Sequence, residues 1–259
     1  MLLVIDVGNT EATAGLFDQS ELLARWRLTS GTDRTPDEWS VALESLIVRA
    51  GHSPAEIRAS CVASVVPQVT LPLIEALRES IHPQVGIVEP RAALPLTLDV
   101  DEPMAVGADR IALALGSLER YPGDSIVVAF GTATTFNCIT ADRRFIGGSI
   151  MPGVRTSADQ LIRKAARLGA TELVAPDRAI GRSTEANIRA GVMFGAADAV
   201  DGMIARIRAE WPGKVPPQVI ATGGLATLIA PLSRSIGRVD ADLTLHGLRV
   251  AARAMHLLA

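Results

Sequence analysis

Leu2-Leu3-Val4-Ile5-Asp6-Val7-Gly8-Asn9-Thr10 opens the chain, and Ser125-Ile126-Val127-Val128-Ala129-Phe130-Gly131-Thr132-Ala133-Thr134-Thr135 repeats its design far downstream. Each is an apolar run of strand length that stops at a glycine followed by hydroxyl-bearing residues. Each then continues into a second strand-like segment. Unbroken apolar runs bounded by turn residues mark strands covered on both faces. Glycine lets backbone N–H groups come close to an anion, and threonine hydroxyls add donors. Two such turns facing each other across a cleft are suited to hold a polyphosphate from both sides.

The segments around the first run predict a three-stranded meander, with residues 12–18 and 21–28 closed at Asp18-Gln19-Ser20. Thr35-Pro36-Asp37-Glu38 then starts a helix. Thr35 is its N-cap, Pro36 fits the first helical position and Glu38 completes a capping box. That helix runs to Ala50 and stops at Gly51. A strand over Ala59–Val66, a helix over Thr70–Ile81 and a short strand over Gly86–Val88 follow. The order recurs after the second run. Strands are expected at 125–130, 133–140 and 144–150, and helices at 154–168 and 183–210. A strand at 219–221, the turn Gly223-Gly224, a short helix and a last helix at 245–258 complete it. The pattern predicts two α/β domains of one βββαβα topology, 1–112 and 113–259, around a central cleft.

The 259 residues, 48% of them hydrophobic, supply enough apolar surface for two cores. A net charge of −3 and 3% aromatic residues give no basis for a nucleic-acid partner. No apolar stretch approaches the roughly 20 residues of a membrane span. Cys61 and Cys138 lie in strand-like runs and read as buried thiols. His52, His82, His246 and His256 show no ligand spacing. These readings predict a soluble cytoplasmic protein with no membrane partner.

Asp6 ends the first strand, where α/β sheets place ligand sites. With Gly8, Asn9 and Thr10 it supplies the oxygen ligands and donors that a metal–nucleotide needs, or it makes an ordinary turn. No Gly-x-x-x-x-Gly-Lys-Ser/Thr occurs, which excludes a P-loop mechanism. Gly107-Ala108-Asp109-Arg110 offers a proton acceptor and an anion clamp, or a helix start with a surface ion pair. Gly147-Gly148-Ser149-Ile150-Met151-Pro152-Gly153 reads as a substrate wall or a crowded crossing. Thr184 opens the long helix, and Gly191 and Gly195 on it suggest close helix packing within the chain or across a dimer. Thr222-Gly223-Gly224 is an adenosine-side turn or a plain strand–helix joint.

Together these motifs resemble the type III pantothenate kinases of the acetate and sugar kinase/actin-like superfamily, over nearly the whole chain. Trp26-Arg27 and Asp240-Ala241-Asp242-Leu243-Thr244-Leu245-x-Gly247-Leu248 belong to the same set. The resemblance implies two RNase H-like domains, a homodimer, and ATP-dependent phosphorylation of pantothenate with Mg²⁺. It assigns ATP and phosphate binding to Asp6, Val7, Gly8, Asn9, Thr10, Thr13, Gly131, Thr132 and Thr134, with Asp6 holding the metal through water. It assigns pantothenate contacts to Gly107, Ala108, Asp109, Arg110 and Thr184, with Asp109 as the catalytic proton acceptor. The chain departs from the pattern at five positions. Ala129 replaces the Asp that resembles a K⁺ or NH₄⁺ ligand, and a methyl group coordinates no cation. Asn137 replaces an Asp, Val100 an aromatic, Leu113 an Asn, and Glu11 a small or polar residue. Three readings follow: a pantothenate kinase with altered or absent monovalent-cation dependence, an impaired paralogue that binds nucleotide or metabolite, or a kinase for another small hydroxy acid.

Overall fold

A computed structural model describes residues 1–164 and 172–258. The chain forms two units, Met1–Arg120 with Asp242–Ala259, and Tyr121–Ala241.

In the first unit, β1 (Leu2–Val7), β2 (Glu11–Asp18) and β3 (Glu21–Thr29) form the expected meander. Next come α1 (Pro36–Arg49), β4 (Ala59–Ser64), α2 (Pro67–Ala76), β5 (Val85–Ile87), a short β6 (Thr97–Leu98) and α3 (Ala108–Arg120). The sheet order is β3-β2-β1-β4-β5. β1 runs antiparallel to β2 and parallel to β4, and Leu2, Leu3, Val4, Ile5 and Val7 are all buried. The capping box forms as the sequence reads: the Thr35 hydroxyl accepts from Glu38 N–H, and the Glu38 carboxylate accepts from Thr35 N–H at 2.8 Å. α2 starts three residues ahead of its expected position, because Pro67 takes the first helical position, where no N–H is required.

The second unit holds β7 (Ser125–Phe130), β8 (Ala133–Thr140), β9 (Arg144–Pro152), α4 (Val154–Lys164), α5 (Thr184–Ala209), β10 (Gln218–Thr222), α6 (Ala226–Ile229) and β11 (Arg238–Val239). Its strands pair in the order β9-β8-β7-β10-β11. Both units therefore place their strands third, second, first, fourth, fifth, and the duplication read from the two apolar runs is a duplication of topology. The part of the expected helix beyond Lys164 lies outside the described residues.

α7 (Leu243–Ala254) then returns to the first unit. The division accordingly falls at Arg120/Tyr121 and again at Ala241/Asp242, where the sequence placed a single boundary at 112/113. The reason is α3, which runs unbroken through that point and packs along α7. Backbone meets backbone there: a Cβ on Gly247 would overlap the Ala112 carbonyl, and one on Gly116 would overlap the Leu243 carbonyl. Arg249 donates to Glu119 at 2.6 Å, and Arg25 donates to Asp242 at 2.7 Å, which seats α7 against α3 and β3.

In the second unit, Asp201 on α5 accepts from the Ser233 hydroxyl at 2.6 Å and from the N–H groups of Arg234 and Ser235 at 2.9 and 3.0 Å. Burial pushes this carboxyl up, but the donated hydrogen bonds outweigh it and hold its pKa at about 2. A depressed folded-state pKa stabilises fully above the ordinary carboxylate value of about 4, and the gain disappears as pH falls toward 2. Asp201→Asn is expected to lose about 2 kcal/mol at pH 7. In urea unfolding, the gap between variant and parent should close as pH drops below about 4; a gap independent of pH would refute the assignment.

Candidate active site

The first site grows from the end of β1. Asp6 pairs directly across from Thr13 of β2. Beyond it the chain turns sharply: Gly8 N–H donates to the Glu11 carbonyl at 3.0 Å, and Ser30 N–H holds the Thr10 carbonyl at 3.1 Å. Val65 N–H donates to the Val7 carbonyl at 3.1 Å, so the end of β4 closes on the same edge. Gly107 lies against Val65, and a Cβ there would strike the Asp109 carboxylate. Thus Asp6, Val7, Gly8, Asn9, Thr10 and Thr13 share one sheet edge with Gly107, Ala108, Asp109 and Arg110.

The charge of Asp109 reaches Asp6 at this edge. Burial, and then the charge of Asp109, push the Asp6 pKa up to about 7. Burial also raises Asp109, against N–H donation from Arg110, the Arg110 charge and N–H donation from its own backbone. Asp6 Oδ1 is buried with no hydrogen-bond partner among the described residues. A buried carboxylate oxygen without a donor requires a proton or a cation.

The second turn closes much as the first does, with Gly131 N–H donating to the Ala133 carbonyl at 3.0 Å. Gly153 N–H and the Thr156 hydroxyl donate to the Thr132 carbonyl at 3.1 and 2.8 Å, fastening the turn to the start of α4. A Cβ on Gly153 would overlap the Thr132 and Gly131 carbonyls, so this end of the 147–153 glycine motif is a crowded crossing. β10 ends alongside, with Thr222 paired to Ala129. Gly223 has φ +91°, and a Cβ there would press on the Phe130 backbone, whereas Gly224 faces open space. Thr222-Gly223-Gly224 is thereby a neighbour of the second turn.

A family model for type III pantothenate kinase matches residues 2–206. The chain belongs to the type III pantothenate kinase family. A relative of that name from Thermomicrobium roseum is 47% identical over 256 residues, covering 99% of this chain and 98% of its own. Another from Moorella thermoacetica is 42% identical over 250 residues, covering 96% and 98%. Among solved structures, a ROK family glucokinase from Streptomyces griseus in complex with glucose and AMPPNP superposes with a TM-score of 0.53 at 14% identity, covering 97% and 99% of the two chains. The activator of 2-hydroxyisocaproyl-CoA dehydratase from Clostridium difficile superposes at 0.58 and 13% identity, covering 98% and 95%. These likenesses show the two-domain fold of the actin-like ATPases and sugar kinases.

A type III pantothenate kinase works with ATP and a divalent metal, and the unpartnered Asp6 oxygen fits a metal donor. Among the described residues no group of three or more His, Cys, Asp or Glu side chains surrounds a metal position, and no helix is long and apolar enough to cross a membrane. Thr134 is buried, on the strand face that carries Phe136 into the core. Thr184 lies on a groove of about 580 Å³ between α4 and α5 lined by Val154, Leu161, Ile188 and Val192. Gly191 and Gly195 also line it, and a Cβ on either would meet nothing within 4 Å, so neither serves packing among the described residues.

The departures are all accommodated. Leu113 is buried in α3, Glu11 is exposed at the start of β2, and Val100 and Ala129 are half-buried. Asn137 is buried within β8 and donates to the Val127 carbonyl at 3.2 Å and to Thr135 Oγ1 at 3.1 Å. Sequence reasoning saw there only a lost charge, and it left Thr135 unassigned. Strand alternation, which puts 135 and 137 on one face, was the signal available.

Proposed function

We propose that this chain transfers the γ-phosphoryl group of ATP to the primary hydroxyl of pantothenate, giving 4′-phosphopantothenate, the first step of coenzyme A biosynthesis. The observation that carries this is the buried Asp6 carboxyl at the carboxyl end of β1, with one oxygen unpartnered among the described residues and the charge of Asp109 acting on it. The two carboxylates take different roles. Asp6 holds Mg²⁺ through water, and Asp109 accepts the hydroxyl proton as the phosphoryl group arrives. Mg²⁺ bound with ATP supplies neutralisation of charge on the phosphate oxygens. Val7, Gly8, Asn9, Thr10, Thr13, Gly131, Thr132 and Thr134 bind the ATP phosphates. Arg110 clamps the pantothenate carboxylate, beside Gly107 and Ala108, and Thr184 contacts the substrate. Ala129 offers no ligand to K⁺ or NH₄⁺, so turnover is independent of both. The enzyme is cytoplasmic and homodimeric, and the apolar groove along α5, with Gly191 and Gly195 bare, is the face a second copy covers.

ADP formation by the purified protein with Mg-ATP tests the reading. Turnover should require pantothenate and ignore K⁺. No pantothenate-dependent turnover in any salt would overturn the activity. Sedimentation at the mass of a single 27.3 kDa chain would overturn the dimer.

A further inference from the structure

His246 is buried on α7, and neither phosphate binding nor proton transfer uses it. Its Nε2 stands 3.0 Å from Nη1 of Arg120, the last residue of α3. A guanidinium only donates hydrogen bonds, so Nε2 must be the acceptor of this pair. The single proton of the neutral ring is therefore on Nδ1. The ring also meets Phe17 of β2 edge to face, with centroids 5.3 Å apart.

The charges around this ring oppose a second proton. Arg249, buried one turn along α7, lies over the same Phe17 ring at 5.8 Å. Glu119 of α3 already accepts from Arg249 at 2.6 Å and has Arg253 at 3.7 Å. Asp242, at the N-cap of α7, is paired with Arg25 of β3 at 2.7 Å. The strands beneath α7 add little. β4 offers only Cys61, whose thiol burial pushes up to about 12. β2 offers the exposed Asp18 beside Phe17, and Asp6 of β1 is four residues along from Leu2, the partner of Phe17. Asp109 and Arg110 are at the other end of α3. A protonated His246 would thus face one guanidinium at 3.0 Å and neighbour a second, with the nearby carboxylates engaged elsewhere.

We infer that His246 is a proton-operated latch: neutral, it holds Arg120 at the last turn of α3, and a proton on Nε2 breaks that bond and sets two like charges together. Arg120 is also the last residue before the chain leaves the first unit. The helix it ends is the one that carries Asp109 in its first turn. A bond that needs neutral histidine stabilises the fold fully above the ordinary histidine value of about 6.5, and the gain is lost as pH falls below it. This is opposite in sign to the contribution of Asp6, which grows as pH falls from about 7. The latch belongs to the fold of the first unit and does not depend on the kinase reading.

Thermal melts of the intact protein and of His246→Gln, taken from pH 7.5 down to pH 5.5, test this. Glutamine keeps an acceptor for Arg120 and takes up no proton, and the Asp6 contribution is common to both proteins. The parent Tm should fall by about 3 °C or more relative to the variant over that range. Arg120→Gln removes the facing cation and should shrink the pH-dependent difference that His246→Gln makes. Ring ¹⁵N NMR of the parent should show Nε2 without a proton at pH 7.5, gaining one as stability is lost. Parallel Tm curves for parent and His246→Gln would overturn the latch, as would a difference that survives Arg120→Gln in full. A proton on Nε2 at pH 7.5 would overturn it on the parent alone, which decides the case in which His246→Gln does not fold. The kinase reading fails separately, by lack of pantothenate-dependent turnover, and that result leaves these melts and spectra unchanged.

Discussion

Asp109→Asn is expected to lower kcat for pantothenate phosphorylation by at least ~10²-fold, the usual cost of losing a general base. The ATP KM should change little, because the phosphate turns stay intact. Stability supplies a second readout of opposite sign. Asp6 and Asp109 are like-charged groups held together at least partly out of water, and Asp109 contributes to the rise of the Asp6 pKa to about 7. A carboxyl with a raised folded-state pKa favours folding fully below the ordinary value of about 4. That contribution is lost as pH climbs toward 7, because the unfolded chain ionises first. Removing the Asp109 charge lowers the Asp6 pKa, so the variant should be at least as stable as the parent at pH 8 while nearly inactive. A merely structural Asp109 gives the reverse pattern, with stability lost and activity retained in the folded fraction. In the parent, activity should fall as pH drops through a range higher than an ordinary carboxylate would set, because burial raises Asp109 as well. Thermal melts at two pH values and an ADP-release assay measure all of this.

Gly247→Ala carries the largest expected effect on folding. The added methyl would occupy the position of the Ala112 carbonyl, and the Gly116 amide is also in its way. Both obstacles are backbone, so no rotamer change relieves them, and α3 and α7 must separate. A cost of about 3 kcal/mol or more follows for an overpacked buried contact. Gly202→Ala on α5 is the matched control. Its Cβ meets nothing within 4 Å, and it should stabilise the helix by about 0.5–1 kcal/mol. Chemical unfolding of the two variants should move in opposite directions. If Gly247→Ala unfolds like the parent, the tight α3–α7 crossing is wrong.

The sequence was most legible where local chemistry alone decides. The apolar runs at Leu2–Val7 and Ser125–Phe130 became the central strands of two sheets of one order. The Thr35 capping box formed bond for bond. At the site, a strand end and a helix start marked Asp6 and Asp109, and the fold brings the Asp109 charge within reach of Asp6. Less was legible wherever long-range packing decides. Nothing local in Ala108–Arg120 announces that its partner lies beyond residue 241, so the boundary fell inside the helix. Gly116 and Gly247 look like weak helix residues until their neighbour is known. Asn137 read as a conservative loss of charge, because the direction of a hydrogen bond is invisible until the Val127 carbonyl is seen opposite it. Gly191 and Gly195 read as a packing pair within the chain or across a dimer, and within the chain no described residue packs on them.

The return of α7 to the first unit bears on how the molecule is made. During translation the segment 121–241 is synthesised whole before Leu243 leaves the ribosome, so the second unit can fold while the first still lacks a helix. Until then Ala112 and Gly116 of α3 wait without the α7 backbone that packs on them. Vectorial folding therefore runs against the usual N-terminal-first order, and the half of the protein that carries Asp6 and Asp109 is the one that matures last.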